Sequence, residues 1–510
     1  MSITSSYFWI FLIISVIIYY AMPVKKWQWS ILLCTSMVFF FAASGFKMFF
    51  YLLSGALIAW GGGLLLSRYK DKKIGRSILI IILLLLIGEL AALKYVQSAI
   101  VHIAILAKLA NLDYAGSEFA ILAPIGISYY TLAIVGYVLD VYWETVPAQK
   151  NPLKMLLFTA YFPQMTSGPI TRYKEMETQL FAEHRFDHTR ILYGIQRILW
   201  GMFKKIVIAD RIAIYVSAVY DDYIMYPGCY IVVAVVLFAF QLYCDFSGCM
   251  DIVCGASECF GIYLPENFKS PFLSESVSEF WRRWHITMGN WFKDYLLYPI
   301  LKSGNVQKIK KIIKKYFGKK AGKNIPTYFG MLVVWLSIGI WHGGQLKYIF
   351  ASGFLPGFYL IMGEICTPLF KKTVQRFHIR TDVLSWRIFR KVRTFLCMCT
   401  SWVFIRAVSF REGLKVIKSM IAVKNPVILF DGYIYLLGLT WKDFNVITAG
   451  ILLILIVDLA NEHGIAIREK LREQNLWAQW FVMLAALFTI LILGIYGPGY
   501  DPVDFIYKNF

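Results

Sequence analysis

Charge is scarce in this 510-residue sequence: Asp, Glu, Lys and Arg make up 16% of it, against 58% hydrophobic residues. Soluble domains carry about a quarter charged residues, so this composition excludes an ordinary water-soluble fold. Acid is the scarcer sign, with 31 Asp and Glu against 52 Lys and Arg, a net charge of +21. The sequence has no G-x-S-x-G, no H-E-x-x-H, no P-loop and no dinucleotide fingerprint. The hydrolase, zincin and nucleotide-binding chemistries that need those spacings are therefore excluded. Internal repeats and low-complexity linkers are missing too, and inverted repeats would have pointed to a secondary transporter. None of the nine cysteines has zinc-ligand spacing. Cys244, Cys249, Cys254 and Cys259 recur every five residues in an apolar region, and Cys397 and Cys399 stand too close for a structural zinc pair. They read as small hydrophobes, and no metal is expected.

What the sequence does have is apolar length. Mean hydropathy is +0.59, and stacked runs of about 17–25 apolar residues mean a polytopic helical membrane protein. Spans are expected near 7–22, 28–43, 47–66, 77–93, 119–139, 229–244, 327–346, 348–366, 394–409, 446–460 and 477–496. Stretches 95–110, 151–163, 191–219 and 246–262 are ambiguous and suit further, re-entrant or interfacial helices. About eleven crossings in one intramembrane unit, 1–510, is the resulting expectation.

The first span reads as an anchor, because Lys25 and Lys26 follow its apolar run instead of preceding it. The positive-inside rule then puts those lysines and "RYKDKKIGR" (68–76) in the cytoplasm and the amino terminus outside. Segments 302–323 and 371–393 follow the same rule. The positive charge is thus topological, directed at anionic headgroups, and nucleic acid is not an expected partner. The longest polar excursion, 301–326, carries nine lysines and no acid. It is expected to be a cytoplasmic loop that meets membrane lipid or docks a phosphate-bearing donor or acidic carrier. His184 and His188, four residues apart, read as a solvated face of an interfacial helix within 183–213.

Two places break the apolar pattern. "EFWRRWHITMGNWFKDYLLYP" (279–299) is too polar for a lipid-facing span. On one continuous helix, Trp281, Trp284, Met288, Trp291 and Tyr295 would form an apolar stripe, and Arg283, Thr287, Asn290 and Asp294 a polar one, with His285 beside the aromatics. Such a segment is expected to line a polar cavity, with Arg282, Asn290, Asp294 and Trp341 along it. Fifty-seven residues after His285, His342 interrupts an uncharged run, flanked by Gly339, Gly343 and Gly344. An ionisable residue inside a span is a functional candidate by default. Neutral imidazole can take a proton from a hydroxyl, which suits transfer of an activated acyl group to an alcohol.

These residues meet a known family. "SEFWRRWHITMGNWFKDYLLYPI" with "GIWHG" resembles the membrane-bound O-acyltransferases, in particular the bacterial alginate O-acetylation branch. The resemblance continues through "PIGISYYTLAIVGYVLDVY", "YFPQMTSGPITRYKEM", "GMFKKIVIADRIA", "QLYCDFSGCMDI", "LPENFKSPF", "WVFIRA" and the closing "FIYKNF". Across this set, Gly168 and Pro169 read as a bend, and Asp245 and Ser247 as hydrogen-bonding groups inside the bundle. The chain departs from the branch at "LLYPILKSGN", where "YIPLGG" is usual.

The resemblance implies an all-α bundle around a transmembrane tunnel, joining a cytoplasmic acyl donor to an extracytoplasmic acceptor. It implies that His342 matches the family's near-invariant histidine and His285 its second. His342 would deprotonate the acceptor hydroxyl, and His285, with Asn290 and Asp294, would position the donor or polarise its carbonyl. No cofactor is held tightly; acetyl-CoA or an acyl carrier protein is the expected co-substrate. The expected acceptor is a cell-surface or cell-wall glycan, with an SGNH-type partner outside a bacterial cytoplasmic membrane. D-alanyl transfer toward teichoic acid is the alternative within the class, and a transporter or flippase the alternative outside it.

Overall fold

The computed structural model describes residues 2–69, 72–109, 123–166 and 168–496. The "FIYKNF" motif, the first residues of the span expected at 119–139, positions 70–71 of the basic segment and Ser167 lie outside the described residues. The described chain is nearly all helical, with Phe268–Trp284 as its isolated β-bridge.

Among the described residues, eight helices are long and apolar enough to cross a membrane. They are 25–44, 46–68, 73–96, 229–259, 304–341, 346–376, 441–462 and 476–493, with shorter apolar helices at Ser6–Ala21 and Ile127–Tyr142. The run expected at 394–409 falls in the Leu384–Arg406 helix, whose first half carries Arg387, Arg390, Lys391 and Arg393. Of stretch 95–110, residues 95–109 continue the Lys72–Leu109 helix, and 246–262 is mostly the end of Cys229–Cys259. Stretch 191–219 is two helices joined by a π-helical turn at Phe203–Ala209.

The chain packs as two compact units. The first unit is 1–198 with 250–265; the second is 199–249 with 266–510. In the first, the Phe49–Arg68 helix buries a face of small residues, including Gly55, Ala56, Ala59, Gly62 and Gly63. Small residues let helices approach where lipid supplies no hydrophobic drive. A Cβ on Gly62 would stand 2.6 Å from Ile82, and one on Gly63 2.6 Å from the Tyr137 hydroxyl. Polar groups inside this bundle pair up: Ser54 donates to Glu89 at 2.9 Å, and Lys94 to Ser128 at 3.0 Å.

In the second unit the π-helical turn presents two successive lysines to the Cys229–Cys259 helix. Lys204 donates to Ser247 at 2.9 Å, and buried Lys205 bridges Asp245 at 2.6 Å and Asp210 at 2.8 Å. Asp245 and Ser247 thus hydrogen-bond inside the bundle. Arg211 spans from Asp443 to the carbonyl of Leu493.

Two expectations are corrected in this unit. Segment 301–326, expected as a loop, is helical: Gly304–Trp341 runs through it and breaks only at Gly318, φ +83°. Ile309, Ile312, Ile313 and Tyr316 already carry a helical period, which the lysine count obscured. The second correction is the single helix over 279–299, which is broken at the histidine.

Candidate active site

The break is built from both sides. Ser276 caps the Val277–Arg283 helix by accepting from the Glu279 amide at 3.1 Å, and the Glu279 carboxylate returns to the Glu275 amide at 2.9 Å. That helix ends at Trp284, which turns extended, and His285 adopts φ 48°, ψ 50° before a new helix begins at Ile286. Left-handed backbone at a non-glycine residue costs on the order of 1–3 kcal/mol and persists only where its surroundings enforce it. Here the "NFK" of 267–269 does so. The Lys269 amide donates to Arg283 O at 2.9 Å and the Ile286 amide to Asn267 O at 3.0 Å, bracketing the Trp284–His285 corner. Trp284 drives it by burial, 2% exposed among Phe268, Phe272, Phe280 and Trp402. The apolar and polar stripes of a continuous helix therefore do not form. Arg283 turns to Glu279 and Glu462, while Thr287 is buried against Asn267.

His285 is 1% exposed, with Phe246 edge-on at 4.8 Å. Its Nδ1 lies 3.3 Å from the Asn267 side-chain oxygen. It stands outside the eight long apolar helices, and burial pushes its pKa well below the ordinary histidine value. The ring is held neutral, as a proton acceptor requires.

His342 arrives from another element. It caps the carboxyl end of the Gly304–Trp341 helix, its amide donating to Ile338 O at 3.0 Å, and is 4% exposed. Gly343 (φ 154°) and Gly344 (φ 72°) then turn the chain sharply through backbone that favours glycine. A Cβ on Gly339 would stand 2.8 Å from the Cα of Ile349, so the returning π-helical turn Ile349–Phe354 presses directly on the helix. Ser352, on that turn, lines the same cavity as His342.

Both imidazoles line one narrow cavity of about 10 Å³, closed by Trp281, Trp284, Met288, Ser352 and Trp402, among others. That is room for about one water. Trp341 packs beside both rings, 6.2 Å from His285 and 5.1 Å from His342. Of the other residues expected along a tunnel, Arg282 and Asn290 are exposed and Asp294 is half-buried; none of the three lines this cavity. Arg282 donates to Ser278, and Lys293 to Asn290.

Sequence reasoning missed Asn267 and Ser352. Asn267 stood inside the quoted "LPENFKSPF", but nothing in that string connects it to a histidine eighteen residues away. Ser352, in "IFASGF", donates to Tyr348 O at 2.8 Å and carries no sequence signal for the site. His184 is half-buried and His188 exposed, on the first unit. Among the described residues no group of three or more His, Cys, Asp or Glu side chains is placed to hold a metal ion.

Comparison with known proteins agrees with this architecture. Residues 145–409, just over half the chain, match MBOAT, the membrane-bound O-acyltransferase family. The chain is 32% identical over 287 residues to the probable alginate O-acetylase AlgI of Pseudomonas syringae, covering 56% of this chain and 49% of that one. It is 29% identical over 332 residues to the peptidoglycan O-acetyltransferase of Helicobacter pylori, covering 60% and 58%. It is also 29% identical over 254 residues to the teichoic acid D-alanyltransferase of Bacillus subtilis, covering 49% and 60%. The chain thus spans about half to three-fifths of the length of these curated relatives. With the matched region holding both buried histidines of a multi-pass helical membrane protein, the chain belongs to the MBOAT, membrane-bound O-acyltransferase family.

Proposed function

We propose that this protein is an O-acyltransferase that acetylates hydroxyl groups of a cell-surface or cell-wall polysaccharide. The observation that carries the reading is the meeting of His285 and His342 in one buried cavity, although fifty-seven residues separate them. Names among the relatives support the substrate class, alginate and peptidoglycan O-acetylation at comparable identity.

In this mechanism His342 takes the proton of the acceptor hydroxyl as its oxygen attacks the acyl carbonyl. A C–O bond forms, the thioester C–S bond breaks, and the proton passes to the leaving thiolate. His285 orients the reacting groups across the cavity, and Trp341 holds the two imidazoles in place. The donor is a thioester, acetyl-CoA or an acyl carrier protein, used as co-substrate. The setting is a bacterial cytoplasmic membrane, with the acyl group crossing a tunnel to a glycan, or to an SGNH-type partner, outside.

His285→Ala is expected to impair transfer less than His342→Ala, because losses of orientation are partial. Ester yield per unit of membrane-inserted protein measures this. Equal transfer by His285→Ala and wild type would remove His285 from the site. D-alanyl transfer is the second reading, supported by the Bacillus subtilis relative. Acyl analysis of surface polymers from a deletion strain separates it from acetylation. A transporter would move substrate without making any ester.

The basic helix adds a membrane surface to this reading. Ile309, Ile312, Tyr316 and Phe317 are exposed beside Lys308, Lys310, Lys311, Lys314 and Lys315. A helix with lysines and an exposed apolar face suits the plane of an anionic bilayer. Changing those five lysines to Gln is therefore expected to weaken binding to anionic vesicles while leaving the KM for donor, measured in detergent, within about twofold. Charges in such a patch act over only about 8–10 Å at physiological salt. A KM that rose severalfold at low salt would instead assign the helix to docking the donor or its carrier.

A further inference from the structure

The side chain of Asn267 meets three groups at one oxygen. Oδ1 accepts the Thr287 amide at 3.1 Å and the Thr287 hydroxyl at 2.9 Å, and lies 3.3 Å from His285 Nδ1. Its backbone oxygen also accepts the Ile286 amide. The Thr287 amide can only donate, so the oxygen of the Asn267 amide, and not its NH₂, must face it. Reversing the amide would set two N–H groups against each other in a site where Asn267 is 2% and Thr287 6% exposed. The same oxygen therefore faces His285, and a carbonyl oxygen can only accept. In the neutral ring, Nδ1 must then carry the hydrogen.

We infer that Asn267 is a positioning residue that locks His285 in its Nδ1–H tautomer, so that His285 serves acyl transfer through an Nε2 lone pair. The inference rests on the proposed active site and goes beyond it. A ring in this form can only accept at Nε2, so it orients the acceptor through a polar hydrogen other than the hydroxyl proton that His342 takes. It cannot donate a hydrogen bond to the acyl carbonyl, so the carbonyl-polarising role considered from the sequence is set aside. Asn267 also clamps the two residues that follow the left-handed His285, Ile286 and Thr287, so one amino acid sets both the direction of the ring and its proton. This is the logic by which an acceptor on one imidazole nitrogen decides what the other nitrogen can do.

The test is magic-angle-spinning ¹⁵N spectroscopy of the full chain, histidine-labelled, in lipid at neutral pH. His285 is assigned by the signal lost in His285→Gln. The expected result is a hydrogen on Nδ1 and a bare Nε2; a hydrogen on Nε2, or on both nitrogens, overturns the inference. In parallel, Asn267→Leu is expected to lower kcat by about tenfold, the partial loss of a misoriented group and less than His342→Ala costs. Asn267→Asp, which keeps an acceptor oxygen facing both Thr287 and His285, is expected to recover most of that loss. Asn267→Asp as inactive as Asn267→Leu, while equally well folded, would also overturn the inference. Should Asn267→Leu fail to fold, the wild-type spectrum still decides. Wild-type transfer by His285→Ala would defeat the site reading and leave the tautomer standing; an Nε2–H spectrum with an impaired His285→Ala would defeat only the tautomer.

Discussion

Replacing His342 with Ala is expected to lower ester formation by about 10²–10⁴-fold, the contribution of a positioned general base. Membrane abundance and elution in detergent should stay near wild type. The side chain sits at a helix end beside a cavity, so its loss enlarges an existing space instead of breaking a span. The two readouts must be taken together, because His342 is also buried. A variant that retained more than about a tenth of wild-type transfer would overturn the central assignment.

Replacing Lys205 with Met is expected to cost about 3–5 kcal/mol of stability, the loss typical when one partner of a buried pair is removed. The Lys205 side chain is 2% exposed and holds two carboxylates, Asp210 and Asp245, at 7% and 3%. Without the ammonium, two buried acids are left to repel each other. The expected phenotype is aggregation on size-exclusion chromatography and a lowered denaturation midpoint. Adding Asp210→Asn and Asp245→Asn to Lys205→Met should restore part of the loss, because groups in one network are not additive. A single Lys205→Met variant as stable as wild type would show that the cluster contributes little. The effect should reach the site as well: Phe246, which packs edge-on against His285, lies between Asp245 and Ser247 on the same helix.

The amino-acid sequence by itself determined the class of molecule. Runs such as 477–496 can leave water only as helices that satisfy their own backbone, so a helical membrane protein was legible from composition and length alone. His342 was legible for the same reason: an ionisable group in a run without charge has to be retained for a purpose. His285 was legible through its neighbours, which are too polar for a lipid-facing span. What periodicity could not supply was the break at Trp284 and His285. A helical stripe assumes that every residue continues the helix, whereas here pairing with residues 267–269 outcompetes the next turn. The same assumption placed Asn290 and Asp294 on one polar face with Arg283, and neither Asn290 nor Asp294 lines the cavity.

Only the tertiary structure decided which distant residues share a site. Asn267 meets His285 because a backbone bridge folds 267–269 against 283–286, and Ser352 shares a cavity with His342 because Gly339 lets a returning turn press on the helix. Neither contact leaves a period or a motif in the chain, since each depends on hydrogen bonds and packing between segments that sequence order keeps apart. The protonation of His285 belongs to the same category. Which nitrogen carries the hydrogen is set by an oxygen eighteen residues upstream, itself oriented by the Thr287 amide. Hydropathy, a property of each segment alone, determined that the helices form; pairing between segments, a property of three dimensions, decided where the two imidazoles meet.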